Sequence, residues 1–456
     1  MDDMDVDPPA SSVNESCTTL TTSADSASSS AADVSQGRTE SLAQSLPYDV
    51  VLEIAREAAT STCDQLEGEL IAWPVTSVCE TIHHLPLVCR AWKDAGQAYI
   101  FRGIVFATRR QCEGFLKTVK ERPELADQVR AVSVGRLLGH PAQRDDPAED
   151  EDWESLSALM LECLSLCKQC QHLQVAPLHP SLAAQVFETI RSLPLPLRSL
   201  ILRIYDAHQD LSPQECVEFY QYCFDLFGRL PLTHFEINFR PPYLPTRQEV
   251  FVPVLPVSPI TSYHSTVNSV EAFLQSLRMM PHLKILTAYT EWAFDPAIAG
   301  PIFGALKDLE ELRVESNIPA SNVAGSGGNP AGSDNFWLNK LLPSYSKLRL
   351  LSVTEQDALP CQFNEPPPSL ELLEFVHFGP NPAQRFYDFR DLLETGRVDG
   401  HFAAREFVFV ADEEAFLRTV KQEDVQILVD EYKDKGVRFR VEFEIMEMPQ
   451  RRYVEI

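Results

Sequence analysis

The residues with the most chemical potential are three cysteines, Cys163-Leu-Ser-Leu-Cys167-Lys-Gln-Cys170, with His172 close behind. Thiolates at this spacing on a loop are able to ligate three irons of an iron–sulfur cluster. The surrounding pattern argues otherwise. Apolar residues recur at helical intervals from Trp153 through Leu156, Leu159, Met160, Cys163, Leu166 and Cys167. That periodicity predicts a helix over Ser155 to Cys170, with the three thiols on one inward side. A zinc site would need a second ligand pair at regular spacing, which the sequence lacks. Free cysteine packs as a small hydrophobe, so the expectation is buried structural thiols, with no metal and no cofactor.

Other motifs carry less. Gly325-Ser-Gly-Gly328 has no following Lys-Ser/Thr, so it does not make a phosphate-binding loop. His83-His84 reads as a surface or helix-end pair. The acidic run Asp145-Asp146-Pro-Ala-Glu149-Asp150-Glu151-Asp152 precedes a helical pattern, where carboxylates complement the helix dipole. As a calcium loop it lacks alternating ligands and a central glycine. With no G-x-S-x-G turn and no H-E-x-x-H pair either, the chain is expected not to be an enzyme.

Composition narrows the partners. The chain has 456 residues, a formal net charge of −27 and 44% hydrophobic residues. Its pI is about 4.8. Such a surface repels phosphate backbones and anionic lipid, which disfavours nucleic-acid and membrane-surface binding. The longest uncharged stretch, Val250 to Val270, is interrupted by Pro253, Pro256 and Pro259, so it does not make a membrane helix. Eleven cysteines without a regular framework, and no secretory leader pattern, point to reduced thiols and to the cytoplasm, the nucleus or both.

Three regions follow from pattern. Residues 1–44, rich in Ser, Thr, Ala and Asp, have too few apolar side chains to offset chain entropy, and a disordered acidic tail is expected. Residues 45–105 read as a small helical module, opened by Pro47 at a helix start. Residues 106–456 carry a repeated rhythm in which apolar residues step by three and then by two. It occurs at Val129/Val132/Val134, Leu197/Leu200/Leu202, Leu232/Phe235/Ile237, Leu283/Leu286, Leu309/Leu312/Val314, Leu348/Leu351/Val353, Leu370/Leu373/Phe375 and Ala404/Phe407/Phe409. The leading residue marks a bend and the last two alternate as in a short strand. Helical patterns lie between, at Ser155 to Cys170, Pro213 to Phe227, Val270 to Met279 and Glu413 to Tyr432.

The expected fold class is α/β: an irregular leucine-rich-repeat-like solenoid with parallel strands, ending in a strand over Val437–Ile445. Loops are expected near 140–152, 240–268 (the Pro-rich Arg240–Val267) and 319–335 (the Gly/Asn/Ser-rich Pro319–Asn335).

Taken together, the helical module and the repeats resemble F-box proteins with a divergent leucine-rich-repeat C-terminal domain, of the fungal type. The first half of the F-box pattern is Leu46-Pro47 followed by Val50, Val51 and Ile54. The second is Leu87-Val88-Cys89-Arg90-Ala91-Trp92, then Ala98, Tyr99 and Phe101-Arg102. The resemblance implies a substrate-recognition subunit of a Skp–cullin–F-box ubiquitin ligase. Its partners would be a Skp-type adaptor, through it a cullin, and a target protein held by the repeats. Leu46, Pro47, Val50, Val51 and Ile54 would lie at the adaptor contact, with Leu87, Val88 and Trp92 completing that face. One departure is the long stretch between Ala55 and Leu85, which includes Trp73-Pro74. It leaves an alternative, a non-ligase interaction scaffold whose F-box-like module packs on its own repeats.

Overall fold

The computed structural model describes residues 47, 50–51, 54, 101–106, 108–134, 153–175, 180–204, 213–239, 257–267, 270–290, 296–316, 337–354, 367–377, 382–398, 404–445 and 450–453. The described residues form thirteen strands in one sheet whose spatial order is the chain order. These are β1 Gly103–Phe106, β2 Ala131–Val134, β3 His172–Val175, β4 Ser199–Ile204, β5 His234–Phe239, β6 Ser262–Val267 and β7 Ile285–Thr290. There follow β8 Glu311–Ser316, β9 Leu350–Thr354, β10 Leu372–His377, β11 Glu406–Asp412, β12 Arg438–Ile445 and β13 Gln450–Tyr453. Each strand from β1 to β11 pairs in parallel with the next, and β13 closes the far edge antiparallel to β12.

Parallel neighbours require a crossover, and most of the crossovers carry helix. The helices are α1 Arg109–Glu121, α2 Trp153–Leu166, α3 Pro180–Ser192, α4 Pro213–Arg229, α5 Val270–Arg278, α6 Pro296–Phe303, α7 Trp337–Leu341, α8 Pro382–Val398, α9 Glu413–Thr419 and α10 Gln422–Asp434. Among the described residues no helix is long and apolar enough to cross a membrane.

The repeated apolar step explains the packing. The leading residues, such as Leu197, Leu232, Leu283, Leu309, Leu348 and Leu370, are buried just before their strands. The second strand position stacks in register from strand to strand: Val132, Leu173, Leu200, Phe235, Tyr263, Leu286, Leu312, Leu351, Leu373, Phe407, Phe439. Because side chains alternate across a strand, the fourth position falls on the same face. Both rows join the helices' buried side chains in a single core. The first, third and fifth positions point to the opposite face, where the buried apolar residues form two small separate clusters, Ala131/Ile201 and Val376/Val408/Val410.

Local chemistry sets several boundaries. Thr108 starts α1 with a capping box: its hydroxyl accepts from the Gln111 N–H at 3.3 Å, and the Gln111 side chain accepts from the Thr108 N–H at 3.1 Å. Asp412 ends β11 and caps α9, accepting from the Ala415 N–H at 2.8 Å, so strand passes to helix without a linker. Beyond the Lys435 cap of α10 comes Gly436, whose φ of +71° suits a residue without a Cβ. The Val437 N–H then donates to the Tyr432 carbonyl at 2.9 Å and the Gly436 N–H to that of Lys433 at 2.9 Å, a Schellman closure that turns the chain into β12.

Several expectations need correcting. The loop expected over 240–268 contains β6, so the long interval between β5 and β7 holds an additional strand. The helix expected over Ser155 to Cys170 stops at Leu166; Cys167 and Cys170 lie in the turn beyond, and Cys170 takes the leading buried position before β3. The helix expected from Glu413 to Tyr432 is two helices, because Val420 and Lys421 are extended. That break keeps Val420 buried between Phe416 and Val425, a spacing one continuous helix would rotate apart. The expected boundary at 105 falls inside β1, so Phe101 and Arg102 lead into the sheet. The residue 1–44 tail, His83-His84, the acidic run at 145–152 and Gly325–Gly328 lie outside the described residues.

At the β10–β12 end the core is aromatic. Phe386 of α8 is fully buried, with ring centroids 5.5 Å from Phe409 and 5.4 Å from Phe416, both edge-on. Truncating it removes buried area and leaves a cavity between three elements. Phe386→Ala is expected to lower unfolding free energy by about 3–5 kcal/mol in urea titration. Leu417→Ala, at a side chain 54% exposed on α9, is expected to change it by less than about 0.5 kcal/mol.

Candidate functional site

The face of the sheet opposite the core presents the chemistry. Its third-position row reads Ser133, Gln174, Ile201, Glu236, His264, Thr287, Arg313, Ser352, Glu374, Val408, Arg440 from β2 to β12. The first-position row includes His172, Ser199, His234 and Ser262. Unlike the core rows these are mostly polar, and several are nonetheless buried.

At β5 and β6 the parallel register sets His234 opposite Ser262, and His264 follows on the same face. The Ser262 hydroxyl oxygen lies 3.0 Å from His234 Nδ1 and 3.1 Å from His264 Nε2, and the two rings are 5.2 Å apart. Burial, reinforced by His172, lowers the His234 pKa to about 4. Burial, with His234 and Arg313, lowers that of His264 to about 3. His172 is lowered as well, by burial and then by Arg198. All three imidazoles are therefore neutral at pH 7.

Neutrality fixes what the pair offers. One hydroxyl has one proton, so Ser262 donates to one ring and accepts from the other. The ring that accepts carries its own proton on the outer nitrogen; the ring that donates leaves its outer nitrogen as an acceptor. Those outer atoms, His234 Nε2 and His264 Nδ1, have no hydrogen-bond partner among the described residues, nor do His172 Nδ1, Gln174 Oε1 and Ser133 Oγ. A buried polar atom left unsatisfied costs about 1–3 kcal/mol, and this face has such atoms on β2 and β3 and again, beyond β4, on β5 and β6.

Further along, Arg313 Nη1 lies 3.2 and 3.4 Å from the two Glu374 carboxylate oxygens. The Ser352 hydroxyl, between them in register, donates to Glu374 at 2.8 Å. Near the β13 edge, Arg440 bridges Glu406 at 2.6 Å and Glu442 at 2.7 Å. The charges of these residues are thus bridged across strands, whereas the three imidazoles are neutral.

The three-cysteine motif is built into the core. Cys163, Cys167 and Cys170 are fully buried. Cys163 donates to the Cys112 carbonyl, Cys167 to that of Cys163, and Cys170 to that of His172. The hydrogen bond to Cys112 and burial push the Cys163 thiol far up, burial does the same for Cys167, and Cys170 is pushed up to about 12. Thiols so held stay protonated, which opposes both metal ligation and nucleophilic attack. Among the described residues no three His, Cys, Asp or Glu side chains are grouped to hold a metal.

Of the residues expected at an adaptor contact, Pro47, Val50, Val51 and Ile54 are described. The Val50 and Val51 N–H groups donate to the Pro47 carbonyl at 3.0 and 3.1 Å, opening a helical turn. Val50 and Ile54 are exposed, at 42% and 38%, and Val51 is fully buried. Leu46, Leu87, Val88 and Trp92 lie outside the described residues. No protein-family model matches the chain, and no curated protein does.

Sequence reading does not reveal the histidine stretch, because β6 has a serine, Ser265, at its inward fourth position and lies in a segment read as loop. The available signal was Ile260-Thr-Ser-Tyr263-His-Ser265, which keeps the step of three and fails at the step of two.

Two outcomes follow. Both histidines have folded pKa values below the ordinary 6.5, so the unfolded chain takes up their protons first as pH falls. Their contribution is whole above about pH 6.5 and is lost toward pH 4. Between pH 7.5 and 5.5, still above the pI, each is expected to remove about 1 kcal/mol of unfolding free energy. The loss should shrink in His234→Gln/His264→Gln, read as the difference between urea midpoints at the two pH values. Separately, native protein at pH 8 is expected to resist iodoacetamide at Cys163, Cys167, Cys170 and the buried Cys223, with alkylation detected by mass spectrometry only on unfolding.

Proposed function

We propose that the chain is a non-catalytic substrate receptor of the F-box type. The helical module would anchor a Skp-type adaptor and, through it, a cullin–RING ligase, while the repeats hold a target protein. The observation that carries this reading is the sheet itself. Strands join in chain order, all the described helices share the core on one face, and the other face runs polar across adjoining strands. A leucine-rich-repeat-like solenoid is the architecture such a series of strand–crossover units supports best, and it offers a long surface to a protein partner. Ubiquitin transfer would then proceed by proximity, using the chemistry of the assembled ligase.

The exposed apolar pair Val50 and Ile54 supports an adaptor contact, since apolar side chains facing solvent on one turn gain from docking. The second reading, a scaffold without ligase recruitment, draws on Val51. Its complete burial means this turn already packs against the chain on one side. An interaction role of either kind accords with the inert thiols described above.

The readings separate in a pull-down of the host's Skp-type adaptor by tagged full-length chain. Val50→Asp/Ile54→Asp alters the exposed side chains while leaving Val51 in place, and circular dichroism checks its fold. The receptor reading predicts that wild type captures adaptor and cullin and that the variant loses at least about tenfold of the capture, a difference of about 1.4 kcal/mol. If wild type captures neither, the scaffold reading replaces it.

A further inference from the structure

The bends that lead into the strands form one edge of the sheet, and charge is distributed unevenly along it. From β7 to β10, bases at this edge meet acids of a neighbouring unit: Lys284 and Glu310 at 2.8 Å, Lys347 and Asp308 at 2.7 Å, Arg349 and Glu371 at 2.8 Å. From β2 to β4 the edge carries Arg130, Lys168 and Arg198, and none of the three forms an ion pair among the described residues. Arg130 donates to the main-chain carbonyls of Asp127 and Val129 at 2.6 and 3.2 Å, which leaves its charge uncompensated. We propose that the strip Arg130–Gln171–Arg198, with Lys168, docks an extended acidic segment of a partner polypeptide. The assignment deepens the receptor reading by naming the chemistry of a segment the repeats would hold, and rests on it for that segment belonging to a target.

Register places the strip without a gap. The Gln171 N–H donates to the Arg130 carbonyl and the Arg198 N–H to the Gln171 carbonyl, both at 2.7 Å, so the three residues occupy consecutive rungs before β2, β3 and β4. Arg198 and Lys168 are exposed, and Arg130 and Gln171 are half-buried. The ladder takes up the main-chain groups of these bends, so recognition falls to the side chains. Arg130 and Arg198 stand two strand spacings apart, about 9.6 Å, a span that about three residues of extended chain cover. Each guanidinium presents a planar fork that fits a carboxylate. Gln171, between them, has an amide able to pair with the segment's main chain.

Charge selects the occupant. Three neighbouring cations without an acid repel one another, and carboxylates set among them remove that repulsion. The net charge of −27 opposes an acidic segment over the surface as a whole, so this strip is where such a segment gains and its placement is specific. Nucleic acid suits the strip less well. The same net charge opposes a long phosphate backbone, and the exposed large apolar side chains among the described residues are all aliphatic, with no ring for a base to stack on. A lone small anion would need both guanidiniums to fold inward over Gln171.

The test follows a fluorescein-labelled octapeptide of alternating Glu and Ser by anisotropy as it binds the full chain at low ionic strength. Its Gln/Ser counterpart and an oligothymidylate of the same charge serve as controls. Saturable binding of the acidic peptide, at least about tenfold tighter than either control and weakened by added salt, is the expected result. Arg130→Gln/Arg198→Gln should weaken it at least about fivefold. Lys284→Gln/Arg349→Gln removes the same charge from the neutralised part of the edge and should change it less than about twofold, with both folds checked by circular dichroism. Absence of saturable binding to wild type, an equal loss in the two variants, or oligothymidylate binding as tight as the peptide overturns the proposal; because wild-type protein gives the first readout, a variant that misfolds does not rescue it. The adaptor pull-down reports separately: adaptor capture without peptide binding removes this surface alone, and peptide binding without adaptor capture removes the ligase reading while the surface stands.

Discussion

A backbone ladder that begins one residue before each strand from β2 to β11 holds the molecule in register. At that bend the N–H donates to the carbonyl of the equivalent bend residue one strand earlier: Gln171 to Arg130 at 2.7 Å, Arg198 to Gln171 at 2.7 Å, Thr233 to Arg198 at 2.8 Å, and onward to Arg405 and Glu371 at 2.9 Å. A parallel ladder repeats a single geometry, so once one bend is placed the next must align with it. Every inward position then stacks on its counterpart, and a leucine in one strand packs on a leucine or phenylalanine in the next. A slip of one residue would reverse the two faces and expose the core row, which is why the apolar pattern specifies register so strongly.

That constraint also creates the opposite face. Side chains there sit beside equivalent residues of neighbouring strands, and each row becomes a line of contacts about one strand spacing apart. Where charges fall in such a row they find partners across strands, as Arg313 does with Glu374, and at the bends before the strands Arg349 pairs with Glu371 and Lys284 with Glu310. Exposed pairs of this kind add little stability, and the Arg313–Glu374 pair, with Glu374 almost wholly enclosed, is the one whose disruption would leave a buried charge. The neutral histidines occupy the other regime. They avoid the cost of buried charge by giving up their protons and retain polar atoms without a hydrogen-bond partner among the described residues.

The buried thiols show how one local pattern supports two readings. Spacing alone leaves Cys163, Cys167 and Cys170 compatible with ligation. Their backbone context decides the matter, because the S–H groups of Cys163, Cys167 and Cys170 donate to carbonyls of α1, α2 and β3 in turn. In that setting Cys167 and Cys170 serve as small residues that fit where a helix turns sharply into a strand, and Cys163 packs α2 against α1.

The sequence by itself determined the α/β alternation, the strand identity of eight repeats and the inward placement of the cysteines, since these depend on local periodicity and side-chain size. β13 escaped it, since the fold was expected to end in the Val437–Ile445 strand, and β1, β3 and β6 escaped it for identifiable reasons. β1 adjoins the helical module and reads as part of it. β3 is led by Cys170 in place of an aliphatic residue, and β6 places Tyr263 and Ser265 where other strands place aliphatic side chains, with the Tyr263 hydroxyl bonded to Ser276 at 3.2 Å. Only tertiary structure decided that His234 and His264 meet at Ser262. Their proximity comes from the register between strands, a relation that one-dimensional spacing does not encode. Their neutrality comes from the burial that the assembled sheet imposes.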